Sequence, residues 1–503
     1  MKRSISLAAY SLILGVFTVA AFHVPFFSHV ISHLDSAGPG VAVVAFLALM
    51  LVALDFLFYY LLVFFARTAG RIVIAITLIA NAISAYLFGT YQQLASVEMM
   101  GNILHSSATE VSGYLSAFLI LFVLFLGVMP AVYAIKRKPE RGSWRKLLLC
   151  TLLAVLVGFG SVLANVGQIP NARRHSTELG GLLLPWSYTV NSVRFLVAEH
   201  ERHADAILLP DATITTDTED VCVLIIGESA RRDHFSLYGY ERETNPCTSR
   251  DSVTALPAKA SNTYTIACVK AMLEPWETEE LYETLPDYLY RAGVDVEWRT
   301  SNWGEPPLHI DKRYDVKALA KMYPGEDARH DGILLAGLKE DILASPKPKQ
   351  FIVLHTYANH GPMYFRSYPP EFEVFTPAGK TIDEYKADPR RLYNVYDNCM
   401  LYSDWIIHSV IEILKGMPSR RACLIYMSDH GESLGENKTY MHSTPLEIAP
   451  KEQLEIPFLV WTQNAGLTVK DLPEVGQHHI YHSVLRFFGV DSPVFDESLC
   501  VFE

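Results

Sequence analysis

The sequence predicts a two-part protein, in which a membrane domain of five spanning α-helices is followed by an α/β domain with a largely parallel central sheet. Half of the 503 residues are hydrophobic, and they are concentrated in the first third of the chain. Beyond about residue 219, short apolar runs alternate with stretches of helical period, which is typical of α/β folds. Acidic and histidine side chains directly follow several of these runs, which indicates a functional site at one edge of the sheet.

Five segments are apolar and long enough to cross a bilayer, since one helical crossing requires roughly 20 residues. They are Ile5–Val24, Val41–Phe65, Ile72–Phe88, Leu115–Ile135 and Leu147–Val166. Lys2 and Arg3 precede the first segment, as they would in a signal peptide. However, no small-residue cleavage site follows, so we expect this segment to be a retained helix.

Basic residues in alternate loops predict the orientation of these helices. Arg67 and Arg71 lie between the second and third segments, and six Lys or Arg residues lie between the fourth and fifth, at 136–146. Loops 27–40 and 89–114 contain neither Lys nor Arg. The positive-inside rule therefore predicts a multi-pass protein of the bacterial inner membrane, with a cytoplasmic N-terminus and a periplasmic domain after the fifth segment.

We divide the chain into a transmembrane domain at 1–166, a linker at 167–218 and a periplasmic domain at 219–503. The linker contains an amphipathic helix that either lies along the membrane surface or packs on the periplasmic domain. The net charge of −12 argues against nucleic acid as a partner. In the last domain, the predicted buried strands are 221–227, 351–356 and 423–429, and the stretch 391–416 is helical in period.

Six of the seven cysteines fall in the part of the chain predicted to be exported, where disulfides can form. Cys222 and Cys423 lie in strand-like apolar runs, where buried free thiols are common. We therefore consider Cys247 with Cys268 as the first candidate for a disulfide.

Carboxylate and imidazole side chains follow each of the three predicted strands. Glu228 follows the first strand, His355 and His360 follow the second, and Asp429 and His430 follow the third. A single acid or histidine at a strand end is usually structural, but three such strand ends together indicate a shared site. Oxygen and imidazole ligands suit zinc or manganese.

A metal site of a hydrolase-like enzyme also needs a nucleophile, and the stretch 261–273 offers Thr263, Thr265 and Cys268. A threonine hydroxyl is a poor nucleophile at neutral pH, but coordination to a metal ion lowers its pKa. The residues alone do not distinguish Thr263 from Thr265. The hydroxyl groups could equally cap a helix N-terminus.

Four motifs are similar to those of the bacterial phosphoethanolamine transferases, the lipid A-modifying enzymes that include the mobile colistin-resistance proteins. They are GESARRDHFSLYGYERETNP, TYTIACV, HTYANHGP and SDHGESLGENKTYMHSTPLEIAPKEQLEIPFLVW. The resemblance covers nearly the whole chain, including the five predicted spans. It implies an alkaline-phosphatase/sulfatase-like α/β/α periplasmic domain, a zinc cofactor, a threonine nucleophile and phosphatidylethanolamine as the donor.

Individual roles follow from this resemblance, position by position. The implied zinc ligands are Glu228, Thr265, Asp429 and His430. The implied catalytic residues are Thr265 as nucleophile, with His360 and His442 contacting the phosphate or a second zinc. The implied substrate-binding residues are Asn102, Ser106 and Glu110 for the donor head group, together with Asn302 and His355.

The sequence departs from the family pattern at two places. Ser261 and Ala271 stand where many lipid A enzymes have a pair of cysteines around the nucleophile. The stretch WRTSNWGEPP at 298–307 also differs, so that the substrate-holding asparagine corresponds to either Ser301 or Asn302, and the family's lysine has no counterpart. These departures affect the identity of the acceptor more than the chemistry.

The resemblance implies transfer of phosphoethanolamine to lipid A or another lipopolysaccharide acceptor through a phosphothreonine-type covalent intermediate, with polymyxin resistance as a consequence. We expect a membrane-bound monomer.

Core sugars, a glucan or a protein are alternative acceptors. A glycerol-phosphate transferase of the teichoic-acid type and a non-catalytic membrane sensor are alternative functions. A sulfatase is disfavoured because Cys268 is followed by VKAML, without the Pro and Arg that such enzymes require. Asp55 in the second span is either functional or paired with a neighbouring helix.

Overall fold

The computed structural model describes residues 5–33, 40–106, 108–202, 206–278 and 280–503, without the side chains of 108–110. It contains two compact units. One unit comprises Met1–Ser106 and Leu115–Leu196, and the other comprises Ser107–Tyr114 and Val197–Glu503.

The chain up to residue 202 is mainly helical. Its α-helices are α1 (Leu7–Phe22), α2 (Val24–Ser32), α3 (Gly40–Tyr91), α4 (Val97–His105), α5 (Ala108–Gly113), α6 (Ala117–Phe122), α7 (Met129–Lys136), α8 (Trp144–Ala164), α9 (Ile169–Arg174), α10 (Ser176–Gly181) and α11 (Trp186–Arg202). A π-helical turn, Val123–Val128, joins α6 to α7.

Among the described residues, three helical segments are long and apolar enough to cross a membrane: α3, Ala117–Lys136 and α8. The bent pair α1 and α2 would make a fourth. Helix α3 has 52 residues, more than twice the roughly 20 that one crossing needs, and its backbone leaves helical geometry at Arg67, where φ is 47°. Two crossings within α3 would give the five that the sequence predicts, and this number stays a prediction.

The described residues beside the three predicted basic segments lie at one end of the first, helical unit. The Arg71 guanidinium donates hydrogen bonds to the carbonyls of Ile135, at 2.7 Å, and Arg137, at 3.3 Å. The Glu140 amide donates to the carbonyl of Ile5 at 2.9 Å. The N-terminal segment, the break in α3 and the loop after α7 therefore share an end, as the positive-inside rule requires of segments on one side of a membrane.

Helix α11 confirms the helix predicted in the linker. Val190 and Val193, one turn apart on it, are 45% and 58% exposed. An exposed apolar stripe of this kind is typical of helices at membrane surfaces. The membrane-surface position of α11 stays a prediction.

The second unit is an α/β domain. Its strands are β1 (Thr213–Ile214), β2 (Asp220–Gly227), β3 (Thr254–Lys259), β4 (Asp295–Thr300), β5 (Lys312–Asp315), β6 (Lys349–His355), β7 (Arg421–Ser428), β8 (Ser433–Leu434), β9 (Tyr440–Met441), β10 (Glu455–Gln463), β11 (Val475–Gly476) and β12 (Val490–Asp491). Its later helices are α12 (Thr265–Leu273), α13 (Leu285–Arg291), α14 (Val316–Met322), α15 (Leu338–Ala344), α16 (Ile382–Ala387), α17 (Pro389–Lys415) and α18 (His479–Phe488).

The central sheet has eight strands in the order β11-β3-β10-β7-β2-β6-β4-β5. Strands β7, β2, β6, β4 and β5 run parallel, whereas β10 is antiparallel to both β7 and β3. All eight residues of β2 and all seven of β6 are buried, as expected for central strands covered on both faces. The three strands and the long helix predicted from the sequence are confirmed.

Helices cover the two faces of this sheet. Alternate residues of β2, namely Cys222, Leu224 and Ile226, belong to a hydrophobic core that also contains residues of α12, α13 and α18. Helix α17 lies outside this core and packs on β2 and β7 from the other side. The α/β/α architecture expected from the family resemblance is therefore present.

The predicted disulfide between Cys247 and Cys268 is wrong. All seven cysteines are free thiols in the structure. Cys268 is a residue of α12 and is buried in the core. The backbone amide of Cys247 donates to Asp404 Oδ2 at 2.7 Å, on α17, so the two cysteines belong to opposite layers. Cys222 and Cys423 are buried free thiols on neighbouring strands, as predicted.

We expect reduction to leave the thermal midpoint of the protein unchanged, because no cysteine pair crosslinks the chain. A disulfide typically contributes about 2–4 kcal/mol to the free energy of unfolding, so reducing one would lower the midpoint by several degrees. Melting curves with and without reductant, together with a thiol count in denaturant, test this. A reductant-dependent midpoint with fewer than seven thiols would contradict it.

Candidate metal centre and active site

The register of the parallel strands aligns the ends that carry the candidate residues. Gly227 of β2 is opposite Ser428 of β7, and Ile226 is opposite His355 of β6. Thr300 of β4 is also opposite His355. The residues that follow these strands therefore meet at the carboxyl edge of the sheet, where open α/β folds bind ligands.

Thr265 lies at this edge as the first residue of α12. Its hydroxyl donates to Glu228 Oε2 at 3.3 Å and lies 3.5 Å from His430 Nε2. The positive end of the helix dipole favours negative charge at this position. Thr265 is 2% exposed and is therefore buried within the site.

The other three predicted metal ligands all lie close to His430 Nε2. His430 Nε2 lies 3.3 Å from Asp429 Oδ2 and 3.7 Å from Glu228 Oε1. Metal–ligand bonds of about 2.0–2.1 Å place tetrahedral ligands about 3.3–3.4 Å apart. The separations here are close to that value. His430 Nδ1 lies 3.0 Å from the Gly431 carbonyl, to which it can donate, leaving Nε2 with the lone pair that a metal needs.

The carboxylate of Asp429 indicates the same chemistry. Its Oδ1 accepts from the amides of Ser229 and His430, at 2.9 and 2.7 Å, but the buried Oδ2 has no hydrogen-bond partner among the described residues. Burial and the neighbouring Glu228 carboxylate raise the pKa of Asp429 well above its usual range. A divalent cation would remove both the repulsion and the missing contact, so these residues fit a metal ion.

The pKa of Glu228 is shifted in the opposite direction to that of Asp429, because imidazoles lie near its carboxyl group. Burial alone would raise the pKa of Glu228, but the neighbouring His430, His360 and His442 hold the pKa below its ordinary value. The structure thus keeps one ionised carboxylate among three imidazoles.

The three candidate nucleophiles differ in their contacts. The Thr263 hydroxyl donates to the Thr444 carbonyl at 2.6 Å and is therefore occupied by a structural bond. Cys268 is fully buried with its sulfur 3.2 Å from the Asn262 carbonyl, and burial raises the pKa of its thiol well above normal. Of the three, Thr265 is the residue that contacts the candidate ligands. Cys268 is too buried and too weakly acidic to serve as the nucleophile that a sulfatase would need.

His442 and His360 lie beside the candidate metal ligands. Ligand atoms of Glu228, His430 and His442 lie within 4.8 Å of one another. The His442 ring centroid is 4.4 Å from that of His430 and 5.3 Å from that of His360. His360 Nδ1 lies 2.8 Å from the Gly361 carbonyl, to which it can donate, leaving Nε2 as the nitrogen that can meet a substrate.

Glu432 is a site residue that the sequence reasoning missed. Its Oε2 lies 2.8 Å from His442 Nδ1, and its Oε1 accepts from the Tyr364 hydroxyl at 2.5 Å. Burial raises the pKa of Glu432 to about 7. A carboxylate behind a histidine is common at metal sites, but the partner of Glu432 is His442, ten residues further along the chain.

Ser229 was also missed, and its backbone is unusual. Its φ of 51° lies in the left-handed region, which is strained for a residue other than glycine. This turn places its amide on Asp429 and its hydroxyl on Glu228 Oε1 at 2.6 Å. The strained residue therefore fixes two candidate ligands at once.

The segment after β4 resolves another alternative. Asn302 Nδ2 donates to Glu228 Oε2 at 2.7 Å, whereas the Ser301 hydroxyl donates to Asp331 at 2.6 Å. Asn302 is therefore the side chain of the two that reaches the candidate ligands. Gly304 allows this segment to approach, because it has a φ of 98° and an added Cβ would lie 3.2 Å from Thr265 Cγ2.

His355 is fully buried at the end of β6. Its Nδ1 lies 3.4 Å from the Thr300 hydroxyl and 3.8 Å from Glu305 Oε2, and its ring packs edge-on against Trp298. Substrate binding by His355 stays a prediction.

The predicted head-group residues belong to another part of the chain. Asn102 lies on α4, and the Ser106 hydroxyl donates to its carbonyl at 2.7 Å. Both residues are in the first unit, and the side chain of Glu110 is outside the described residues. Head-group binding by these three residues stays a prediction.

A cavity of about 390 Å³ opens next to His360 and Tyr357. Arg329 and Arg366 line it, and both are exposed. Arg329 is paired with Asp327 at 2.8 Å, so it is oriented by a neighbour. The cavity provides cationic side chains beside the candidate metal centre.

Comparisons with known proteins find relatives for both parts of the chain. A family model described as Sulfatase matches residues 220–490, and one described as Phosphoethanolamine transferase EptA/EptB matches residues 53–200. Phosphoethanolamine transferase EptA of Helicobacter pylori is 33% identical over 95% of this chain and 92% of its own length. Phosphatidylethanolamine transferase Mcr-1 of Escherichia coli is 29% identical over 97% of this chain and 96% of its own.

A solved structure shares the fold over almost the entire chain. It is the integral membrane protein lipooligosaccharide phosphoethanolamine transferase A of Neisseria meningitidis, with a TM-score of 0.89 and 23% identity, covering 99% of each chain. The helical unit and the α/β unit thus have counterparts in one solved membrane protein.

Proposed function

This chain belongs to the phosphoethanolamine transferases, and we propose that it transfers phosphoethanolamine from phosphatidylethanolamine to lipid A or another lipopolysaccharide acceptor. The observation that carries the proposal is the Thr265 hydroxyl, 3.3 Å from Glu228 and 3.5 Å from His430 among the candidate metal ligands. Relatives named for phosphatidylethanolamine and for lipooligosaccharide support the donor and the acceptor.

The cofactor that fits the site best is zinc, held by Glu228, Thr265, Asp429 and His430. A mixed set of oxygen and imidazole ligands, with oxygens at 3.3, 3.5 and 3.7 Å from His430 Nε2, supports this choice. When bound, zinc would act as a Lewis acid that lowers the pKa of the Thr265 hydroxyl and stabilises charge on the phosphoryl group.

The reaction is a double displacement at phosphorus. Thr265 Oγ1 attacks the donor phosphorus, the bond from phosphorus to the diacylglycerol oxygen breaks, and the threonine proton reaches that oxygen. A phosphoethanolamine–threonine intermediate remains. An acceptor oxygen then attacks the phosphorus, the bond to Oγ1 breaks, and Thr265 regains a proton. His360 and His442 are placed to move these protons and to stabilise phosphoryl charge.

The cavity beside His360 supports an acceptor that carries phosphate. Arg366 presents an exposed guanidinium group, which can bind phosphate by charge-assisted hydrogen bonds, whereas the Arg329 guanidinium already donates to both carboxylate oxygens of Asp327. Lipid A phosphate is therefore the preferred acceptor over a core sugar, a glucan or a protein hydroxyl. A glycerol-phosphate transferase remains the alternative activity.

A bacterial inner-membrane location suits these substrates. Long apolar helices anchor the chain, and anchoring raises the effective concentration of the enzyme for lipid substrates. We propose that the α/β unit is periplasmic, that the protein acts as a monomer, and that the added amine lowers the binding of cationic polymyxins.

Mass spectrometry of lipids from intact cells tests the proposed function. Cells that express the wild type should gain lipid A with one added phosphoethanolamine and lose phosphatidylethanolamine, and cells with Thr265→Ala should do neither. Loss of the donor without modified lipid A would indicate another acceptor. If neither the donor nor lipid A changes in cells that express the wild type, the proposal is wrong.

Removal of metal should inactivate and destabilise the protein. Chelation leaves buried carboxylates without a cation, and a ligand at 100 times its Kd stabilises the folded state by about 2.7 kcal/mol. We expect chelator to abolish transfer and lower the thermal midpoint, and zinc to restore both. Unchanged transfer in metal-free protein, checked by elemental analysis, would exclude metal dependence.

Glu432→Gln should impair transfer by on the order of 10–100-fold, because the carboxylate holds His442 in one orientation. We expect the variant to remain folded, since glutamine has nearly the same shape. Glu447→Gln, at an exposed position, is the matched control. A Glu432→Gln enzyme as active as the control would show that His442 needs no such partner.

A further inference from the structure

A cluster of histidines lies in the helical unit, apart from the residues of the candidate active site. His29 and His33 are one turn apart on and just after α2, and His175 lies between α9 and α10. Their ring centroids are 4.3 Å apart for His29 and His33, 4.2 Å for His33 and His175, and 5.5 Å for His29 and His175. One ring nitrogen of each lies within 4.8 Å of the others.

Hydrogen bonds fix the orientation of His33. Its Nδ1 lies 2.9 Å from the carbonyl of His29, to which it can donate, and this leaves Nε2 with a lone pair. Asn171 donates to the carbonyl of His33 at 2.6 Å and thereby joins α9 to the end of α2. A histidine whose Nδ1 bonds to a carbonyl is the usual arrangement of a metal-ligating imidazole.

Two buried polar atoms at the cluster are unsatisfied. His29 Nε2 and Glu178 Oε2 have no hydrogen-bond partner among the residues that the structure describes. Buried polar groups without a partner are uncommon in folded proteins, and a bound cation would satisfy both atoms. Glu178 Oε1 also lies 3.7 Å from His175 Nδ1, where a carboxylate can orient a ligating imidazole.

We propose that His29, His33 and His175 form a second metal site, for a divalent transition-metal ion of the zinc class, with Glu178 as the positioning carboxylate. Imidazole ligands suit zinc, copper and nickel rather than calcium or magnesium. The site lies at the end of the helical unit opposite the basic segments, because α1 and α8 both begin at the basic end and the cluster follows their far ends. This proposal does not depend on the proposed function.

The three histidines differ in their exposure. His33 is exposed, whereas His29 and His175 are partly buried. The three rings line a cavity of about 350 Å³ with Asn165 and Asn171, whose other walls are mainly apolar. The cavity therefore has room for a metal ion and for a water molecule or small ligand at an open coordination position.

Metal stoichiometry of the full-length, tag-free protein in detergent tests the proposal. The proteins compared are the wild type, the double variant His33→Ala/His175→Ala, the catalytic-site variant Asp429→Asn and the control His200→Ala, which alters an exposed histidine outside the cluster. Each is depleted of metal, dialysed against zinc, and analysed for bound metal. Cobalt(II) titration then gives a ligand-field spectrum for each site.

We expect the double variant to bind one equivalent of zinc less than the wild type and the control. It should also lose one component of the cobalt spectrum, while the component that Asp429→Asn removes is retained. That retained component shows that the α/β unit of the double variant is folded, and an unchanged helix content by circular dichroism shows the same for the helical unit. Equal zinc content in the wild type and the double variant, or a wild-type spectrum removed entirely by Asp429→Asn, would overturn the proposal.

Discussion

Replacing Thr265 by alanine is expected to reduce transfer by on the order of 10³-fold or more, because the variant lacks the atom that attacks phosphorus. The side chain is small and lies at the beginning of a helix, so its loss should change the fold little. Serine at this position keeps a hydroxyl and should retain measurable transfer. Rates of donor loss with purified protein in detergent and phosphatidylethanolamine measure this effect.

Thr263→Ala is the matched control for that experiment. Its hydroxyl bonds to the Thr444 carbonyl instead of the candidate metal ligands, so its loss should cost about 1 kcal/mol of stability and only a few-fold in rate. If Thr263→Ala were as inactive as Thr265→Ala, or if Thr265→Ala remained active, the assignment of the nucleophile would be wrong.

Asp429→Asn is expected to change activity and metal-free stability in opposite directions. The buried Oδ2 of Asp429 has no hydrogen-bond partner in the described structure, and the Glu228 carboxylate is nearby. Removing this charge should therefore leave the metal-free protein as stable as the wild type or more stable, by about 1–3 kcal/mol. Loss of a metal ligand should nevertheless reduce transfer by on the order of 10³-fold.

Thermal melts of metal-free and zinc-loaded protein test the predicted effect of Asp429→Asn on stability. Zinc should raise the midpoint of the wild type markedly and that of Asp429→Asn little. A metal-free variant that is clearly less stable than the metal-free wild type would indicate that Asp429 has a structural role instead.

The sequence was most informative where regular patterns coincide with function. Continuous apolar runs identified β2, β6 and β7, and the parallel register then brings Glu228 and Asp429 together at one edge. Continuous apolar runs also predicted the segments of the membrane part, because a long apolar helix satisfies its own backbone hydrogen bonds in lipid. Both predictions depend on the length of apolar runs and on their order along the chain, and these can be taken directly from a sequence.

The choices that failed or stayed open depend on which way a side chain points. Thr263 and Thr265 have the same chemistry two residues apart, and only the beginning of α12 decides which one meets Glu228. The Cys247–Cys268 prediction failed because spacing does not reveal that the two cysteines lie in opposite layers. Glu432 was missed because its partner, His442, becomes its neighbour only when the chain turns back through β8 and β9.

The central claim is that Thr265 carries phosphoethanolamine during the reaction. Peptide mass spectrometry of the protein incubated with phosphatidylethanolamine and no acceptor tests it most directly. We expect the peptide that contains Thr265 to gain the mass of one phosphoethanolamine group, and to lose it when the acceptor is added. A modification on another residue, or turnover of donor without any modified peptide, would contradict the mechanism.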